Sequence, residues 1–161
     1  MRTLKVLYIH ATATFGGASK SLCEMLQSVT PGQIDATVLC PQGSAAERFR
    51  LAGVRVVADW GIPKWDHTPY GYYRPARWLV LLREFVCVPS FLLGLERLHK
   101  FLGQVDLVHA NDITVLLDGM FATDRLRGKL VVHASSLQND DTRLRRTHWQ
   151  ARLLDQGYCC G

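Results

Sequence analysis

Two adjacent glycines, Gly16 and Gly17, carry the clearest chemistry in the sequence. They stand between an apolar run, LKVLYIH at residues 4–10, and the segment ASKSLCEMLQS, whose apolar spacing predicts a helix over 17–29. Glycine lacks a Cβ, so the backbone there can come close to a ligand. A helix starting at residue 17 turns its unpaired N–H groups and the positive end of its dipole toward the same loop. That combination suits a phosphate; a plain turn is the alternative. Asn111 and Asp112 form a second candidate pair, directly after the apolar run DLVHA. Their side chains can bind hydroxyls or cap the helix that follows. A third candidate is DWGIPKWDHTPYGYYRPAR at residues 59–77. Trp60, Trp65, Tyr70, Tyr72, Tyr73 and the neighbouring Trp78 are interspersed there with Arg74 and Arg77. Aromatic faces stack on sugars, and Trp, Tyr and Arg suit a lipid headgroup boundary. A loop packed on its own domain is the plainer reading.

Those residues need elements to position them. Strands are expected at 4–10, 36–40, 54–58, 106–110 (with Val105 leading in) and 129–134. Helices are expected at 17–29, 45–52, 78–102 and 113–126, with Ser44 as N-cap and Gly53 as C-cap of the second. The strand runs are continuously apolar, as in strands buried on both faces of a parallel sheet. Alternation with helices predicts a doubly wound, Rossmann-like α/β domain. Ligands of such sheets lie beyond the carboxyl ends of the strands, where the candidate loops fall. Pro89 predicts a bend or split in the long apolar helix.

Composition narrows the class. The chain has 161 residues, 48% of them hydrophobic and 20% charged, which fits one soluble globular domain. A net charge of +5 favours anionic partners or is an incidental excess. The five cysteines, Cys23, Cys40, Cys87, Cys159 and Cys160, include no C-x-x-C pair, so no metal site is expected and reduced thiols of a cytoplasmic protein are. No secretory signal is expected. The longest apolar stretch, residues 85–95, is interrupted by Pro89 and falls short of the ~20 residues of a membrane span; it reads as a core or interfacial segment. The loop FGGASKS matches neither G-x-G-x-x-G nor Walker A, and no G-x-S-x-G elbow is present. No nucleic-acid module is recognisable.

VLYIHATATFGGASKSLCEML, DLVHAN (residues 106–111) and KLVVHASS (residues 129–136) together resemble the N-terminal domain of the glycosyltransferases of the subfamily 4-like type. The resemblance extends over residues 4–137. It implies one Rossmann-like half of a GT-B architecture, with residues 59–77 as an aromatic insertion and 138–161 as a truncated basic tail. It implies transfer of a sugar from a nucleotide-sugar donor to a carbohydrate or lipid-linked acceptor, without a metal or other cofactor. Gly16 and Gly17 would approach the donor diphosphate. His133 would be the catalytic residue beside the transferring sugar. His109, Asn111 and Asp112 would contact the acceptor. His133 also suits a plain structural role at a strand end, and His109 one inside its strand run. The protein would be cytoplasmic, with peripheral contact at the inner membrane face.

One departure is large. Enzymes of this group carry a paired-glutamate E-x7-E motif in a second domain. Glu24, Glu47, Glu84 and Glu96 are the only glutamates, and none are eight apart. The chain is therefore expected to be a fragment, a frameshifted product, or a half completed by a separate donor domain, with little activity alone. A non-catalytic Rossmann-like partner subunit and an unrelated α/β phosphate-ester enzyme are the alternatives.

Overall fold

The computed structural model describes residues 2–59, 61–65 and 78–133. Most of the aromatic insertion, the end of the chain from residue 134 and the Cys159–Cys160 pair lie outside the described residues. The domain boundary expected at 137 lies there too.

Five strands form one sheet: β1 Leu4–Ile9, β2 Ile34–Pro41, β3 Arg55–Asp59, β4 Leu107–Ala110 and β5 Lys129–Val132. Their order is β3-β2-β1-β4-β5, and every pairing is parallel. This is the expected Rossmann-like α/β sheet. The connecting helices are α1 Gly17–Ser28, α2 Ser44–Leu51, α3 Trp78–Leu102 and α4 Leu116–Leu126.

Side-chain alternation along the strands feeds two cores. Val6, Tyr8, Val38 and Cys40 face α1 and α2, packing with Leu22 and Phe49. Leu7, Ile9, Leu39 and Val108 face α3 and α4, packing with Phe91, Leu95 and Leu126. Both faces of β1 and β2 are therefore buried, and this is why their sequences are apolar without a break. Fully burying one such aliphatic side chain stabilises the fold by about 1.5–3 kcal/mol.

Three local expectations are corrected. Helix α3 runs from Trp78 to Leu102 with Pro89 inside it, so of the bend or split expected there the split does not occur. Pro89 is exposed, so its ring meets solvent, while Phe91, Leu95 and Leu98 on the buried side hold the helix to the sheet. The helix expected at 113–126 opens as a 3-10 turn, Ile113–Val115, before α4 begins. Ser44 is the first helical residue of α2 and Gly43 its cap; the Ser44 hydroxyl instead accepts the Phe15 N–H at 3.0 Å. Gly53 sits just past α2 at φ +78°, donating its N–H to the Arg50 carbonyl, as expected of a glycine that ends a helix.

Candidate functional site

The chain leaves β1 toward α1 on one face of the sheet and leaves β4 toward α4 on the other. Strands β1 and β4 are neighbours, so their loops diverge and open a crevice at their carboxyl ends. This is the topological switch point at which open α/β sheets bind ligands.

A buried polar chain forms the floor of the crevice. Asn111 donates through Nδ2 to His10 Nδ1 at 3.0 Å. With Nδ1 accepting, Nε2 carries the proton and donates to Ser19 Oγ at 2.8 Å. Ser19 Oγ in turn donates to the Thr14 carbonyl at 3.3 Å. Asn111 Nδ2 also reaches the Ala18 carbonyl at 3.4 Å, which requires the same amide orientation. His10, Ser19 and Asn111 are all buried. Burial is the largest cause that lowers the His10 pKa to about 4; Lys64 lowers it further and Asp112 opposes. The imidazole is therefore neutral at pH 7, as this hydrogen-bond pattern requires.

The glycine loop lies above this floor. A Cβ added at Gly16 or Gly17 would meet nothing within 4 Å, and both residues are exposed. Gly16 has φ −130°, open to any residue. The fold itself therefore makes no demand for glycine at either position, and the space over the start of α1 is open to a ligand. Gly43 is the opposite case: its Cβ would lie 2.5 Å from the Ala13 carbonyl oxygen. The Ala45 N–H donates to that oxygen at 3.0 Å. Together with the bond from Phe15 to Ser44, this ties the glycine loop to the start of α2.

Two more histidines line the α1 side of the sheet. Tyr8 and His109 place their ring centroids 5.1 Å apart, and His109 and His133 6.1 Å apart. His109 is half-buried, and burial first and His133 second hold its pKa down. Its Nδ1 is buried without a hydrogen-bond partner among the described residues. His133 stands just past β5, exposed, with its N–H held by the Ala110 carbonyl at 2.8 Å. Asp112 caps the 3-10 turn, accepting the Thr114 N–H at 3.0 Å.

The predicted site residues thus gather at the carboxyl edge, with different surroundings. Gly16, Gly17 and His133 are open to solvent. Asn111 turns its amide inward to His10, and Asp112 is in use as a cap.

Sequence reasoning missed His10, Ser19 and Lys64. The Lys64 N–H donates to Glu84 Oε2 at 2.7 Å and the Trp65 N–H to the Thr114 carbonyl at 3.0 Å. These two bonds bring the end of the 61–65 segment over the β4 loop, where the Lys64 charge reaches His10. A single lysine inside an aromatic stretch carries no motif. Asp118 on α4 was also missed. It is buried, and its Oδ2 has no hydrogen-bond partner among the described residues. Its pKa is pushed up to about 7, chiefly by burial, with Glu84 adding to the rise. Its own backbone and the Trp65 indole oppose the rise, although Trp65 Nε1 makes no aligned hydrogen bond.

Among the described residues no three His, Cys, Asp or Glu side chains are grouped to hold a metal ion. None of the described helices is long and apolar enough to cross a membrane. A cavity of about 560 Å³ opens at the other end of the sheet, between Ile34, Gly53 and Arg55, away from the switch point.

No protein-family model matches the chain, and no curated protein does. Among solved structures it is similar to HepE of Anabaena, crystallised in complex with UDP and glucose. The TM-score is 0.53 at 19% identity, over 83% of this chain and 30% of that one. The likeness is one of fold, and this chain spans less than a third of that protein's length.

Proposed function

We propose that the chain is the acceptor-side, N-terminal domain of a glycosyltransferase that moves a sugar from a nucleotide-sugar donor to a carbohydrate or lipid-linked acceptor. The observation that carries this reading is the open glycine loop over the switch point, in a fold shared with a protein crystallised with UDP and glucose. The first N–H groups of α1 face that opening and would hold the donor diphosphate beside Gly16 and Gly17. His133, exposed at the rim, would act on the transferring sugar by donating a hydrogen bond to a sugar hydroxyl or to the leaving phosphate. His109 and Asp112 would line the acceptor side, and Asn111 would serve from beneath by holding His10.

Transfer requires the donor oriented against the acceptor, with the charge developing on the phosphate stabilised. This chain supplies one wall of such a site, and a separate or following donor domain would supply the other. The expected result is weak UDP binding by the chain alone, with little or no turnover. Titrating UDP into the isotopically labelled chain and following the amide resonances tests the reading. Shifts confined to Gly16, Gly17, Ala18 and their neighbours support it. No shift there at saturating UDP, or turnover of a phosphate ester without any nucleotide sugar, overturns it.

A further inference from the structure

Among the described residues, helix α3 leaves one face uncovered. Leu79, Leu82, Phe85, Val86 and Leu93 are between 50% and 69% exposed. Leu79, Leu82, Val86, Pro89 and Leu93 recur at intervals of three and four and form a single stripe. The opposite stripe, with Phe91, Leu95 and Leu98, is buried in the core. The ring of Trp65 meets Phe85 edge-on at 5.6 Å, so the 61–65 segment packs along one edge of this face. Following the same spacing past Leu93 brings Arg97 and Lys100 onto the outer stripe, both exposed.

We propose that this face of α3 docks on an anionic lipid surface, with Leu82, Val86 and Leu93 entering the acyl boundary and Arg97 and Lys100 at the headgroups. Charge decides the occupant. Cations continue the apolar stripe, and the outward acid Glu96 is taken up by Arg125 at 2.5 Å. A second copy of the chain packed on this stripe would bury Arg97 and Lys100 against a stripe whose acid among the described residues, Glu96, is already paired with Arg125, and unpaired buried charge is costly. Anionic headgroups supply that counter-charge, and the chain's net charge of +5 adds to the attraction. The helix lies on the surface rather than across it: Glu84 and the core side chains of its other face are packed inside the domain. The inference stands independently of the transferase reading.

The test is flotation of the chain with vesicles of phosphatidylcholine, with and without phosphatidylglycerol. Wild type is expected to float with the anionic vesicles and to be released by added salt. Combined L82E, V86E and L93E should lower vesicle partition by about tenfold or more, with an unchanged circular dichroism spectrum because all three positions are exposed. Combined R97E and K100E should abolish the preference for anionic vesicles, which gives a second measurement should the first variant fail to fold. Wild type that stays with the soluble fraction, or equal flotation of wild type and both variants, overturns the proposal. Sedimentation showing a dimer that L82E, V86E and L93E dissolve also overturns it, by naming a second copy as the occupant.

Discussion

The amide of Asn111 and the imidazole of His10 meet at 3.0 Å across 101 residues of sequence, joining the carboxyl ends of β1 and β4 at the point where the chain reverses its direction across the sheet. The bond is buried and continues through Ser19 to the loop that carries the glycines. Its energetic weight can be measured. Asn111→Ala and His10→Ala each leave a buried partner unsatisfied, which costs about 1–3 kcal/mol. Because the two residues share one bond, the double variant should lose less than the sum, with a coupling of about 0.5–3 kcal/mol. Denaturant unfolding of the four proteins in the cycle measures it. Strict additivity would show that the two residues are neighbours without being partners.

Stability should respond to pH through two buried groups with opposite signs. The His10 pKa is lowered to about 4 in the fold against ~6.5 in the unfolded chain. Between those values the unfolded state binds more protons, so stability is lost as pH falls through that window. Asp118 is raised to about 7 from 3.8. The folded state binds more protons there, so its contribution is fully present below the lower value and is lost as pH rises toward 7. At about 1.4 kcal/mol per pKa unit, each contribution is on the order of a few kcal/mol. In wild type the two slopes offset each other between about pH 4 and 6.5. Asp118→Asn should therefore expose a steep loss of stability on acidification, and His10→Gln a steep loss on raising the pH. Thermal melts across pH 4 to 8 test this; parallel profiles for the two variants would contradict it.

Three glycines predict a contrast between stability and binding. Gly43→Ala forces a Cβ against the Ala13 carbonyl oxygen and should cost about 1–3 kcal/mol. Gly17→Ala meets open space at the start of a helix, where alanine should be neutral or stabilising by up to about 1 kcal/mol. If the loop holds a diphosphate, Gly16→Val and Gly17→Val should leave the melting temperature nearly unchanged while weakening UDP binding severalfold. Calorimetric titration beside a thermal melt separates the two effects.

The fold was legible because its signals are local. LKVLYI, ATVLC and DLVHA are apolar without a break, and glycine or proline turns punctuate them, so strand order along the chain and the helix spans could be read to within a few residues. Pro89 does not split its helix, although it removes a hydrogen bond and crowds the carbonyl four residues before it. Phe91, Leu95 and Leu98 anchor the helix beyond it, and their burial is a property of the assembled core. The glycine loop was found because its chemistry lies in two adjacent residues. The His10–Asn111–Ser19 chain was not, because each member is ordinary in its own segment and acquires meaning only when β1 and β4 become neighbours. Lys64 was hidden in the same way, within a stretch whose aromatic residues dominate its composition. The raised Asp118 depends on burial by α3 and the 61–65 segment, which no periodicity in α4 announces.

The bonds from Ala45 to Ala13 and from Phe15 to Ser44, with Gly43 lodged between them, make the start of α2 and the glycine loop one mechanical unit. Opening either one to solvent breaks bonds that the other also uses. Their amides should therefore exchange with deuterium at a common rate, as one cooperative opening. A ligand resting on Gly16 and Gly17 would then slow exchange at Ala45, a residue whose own N–H is already committed to Ala13. Occupancy would in this way be recorded in the helix that follows the next strand.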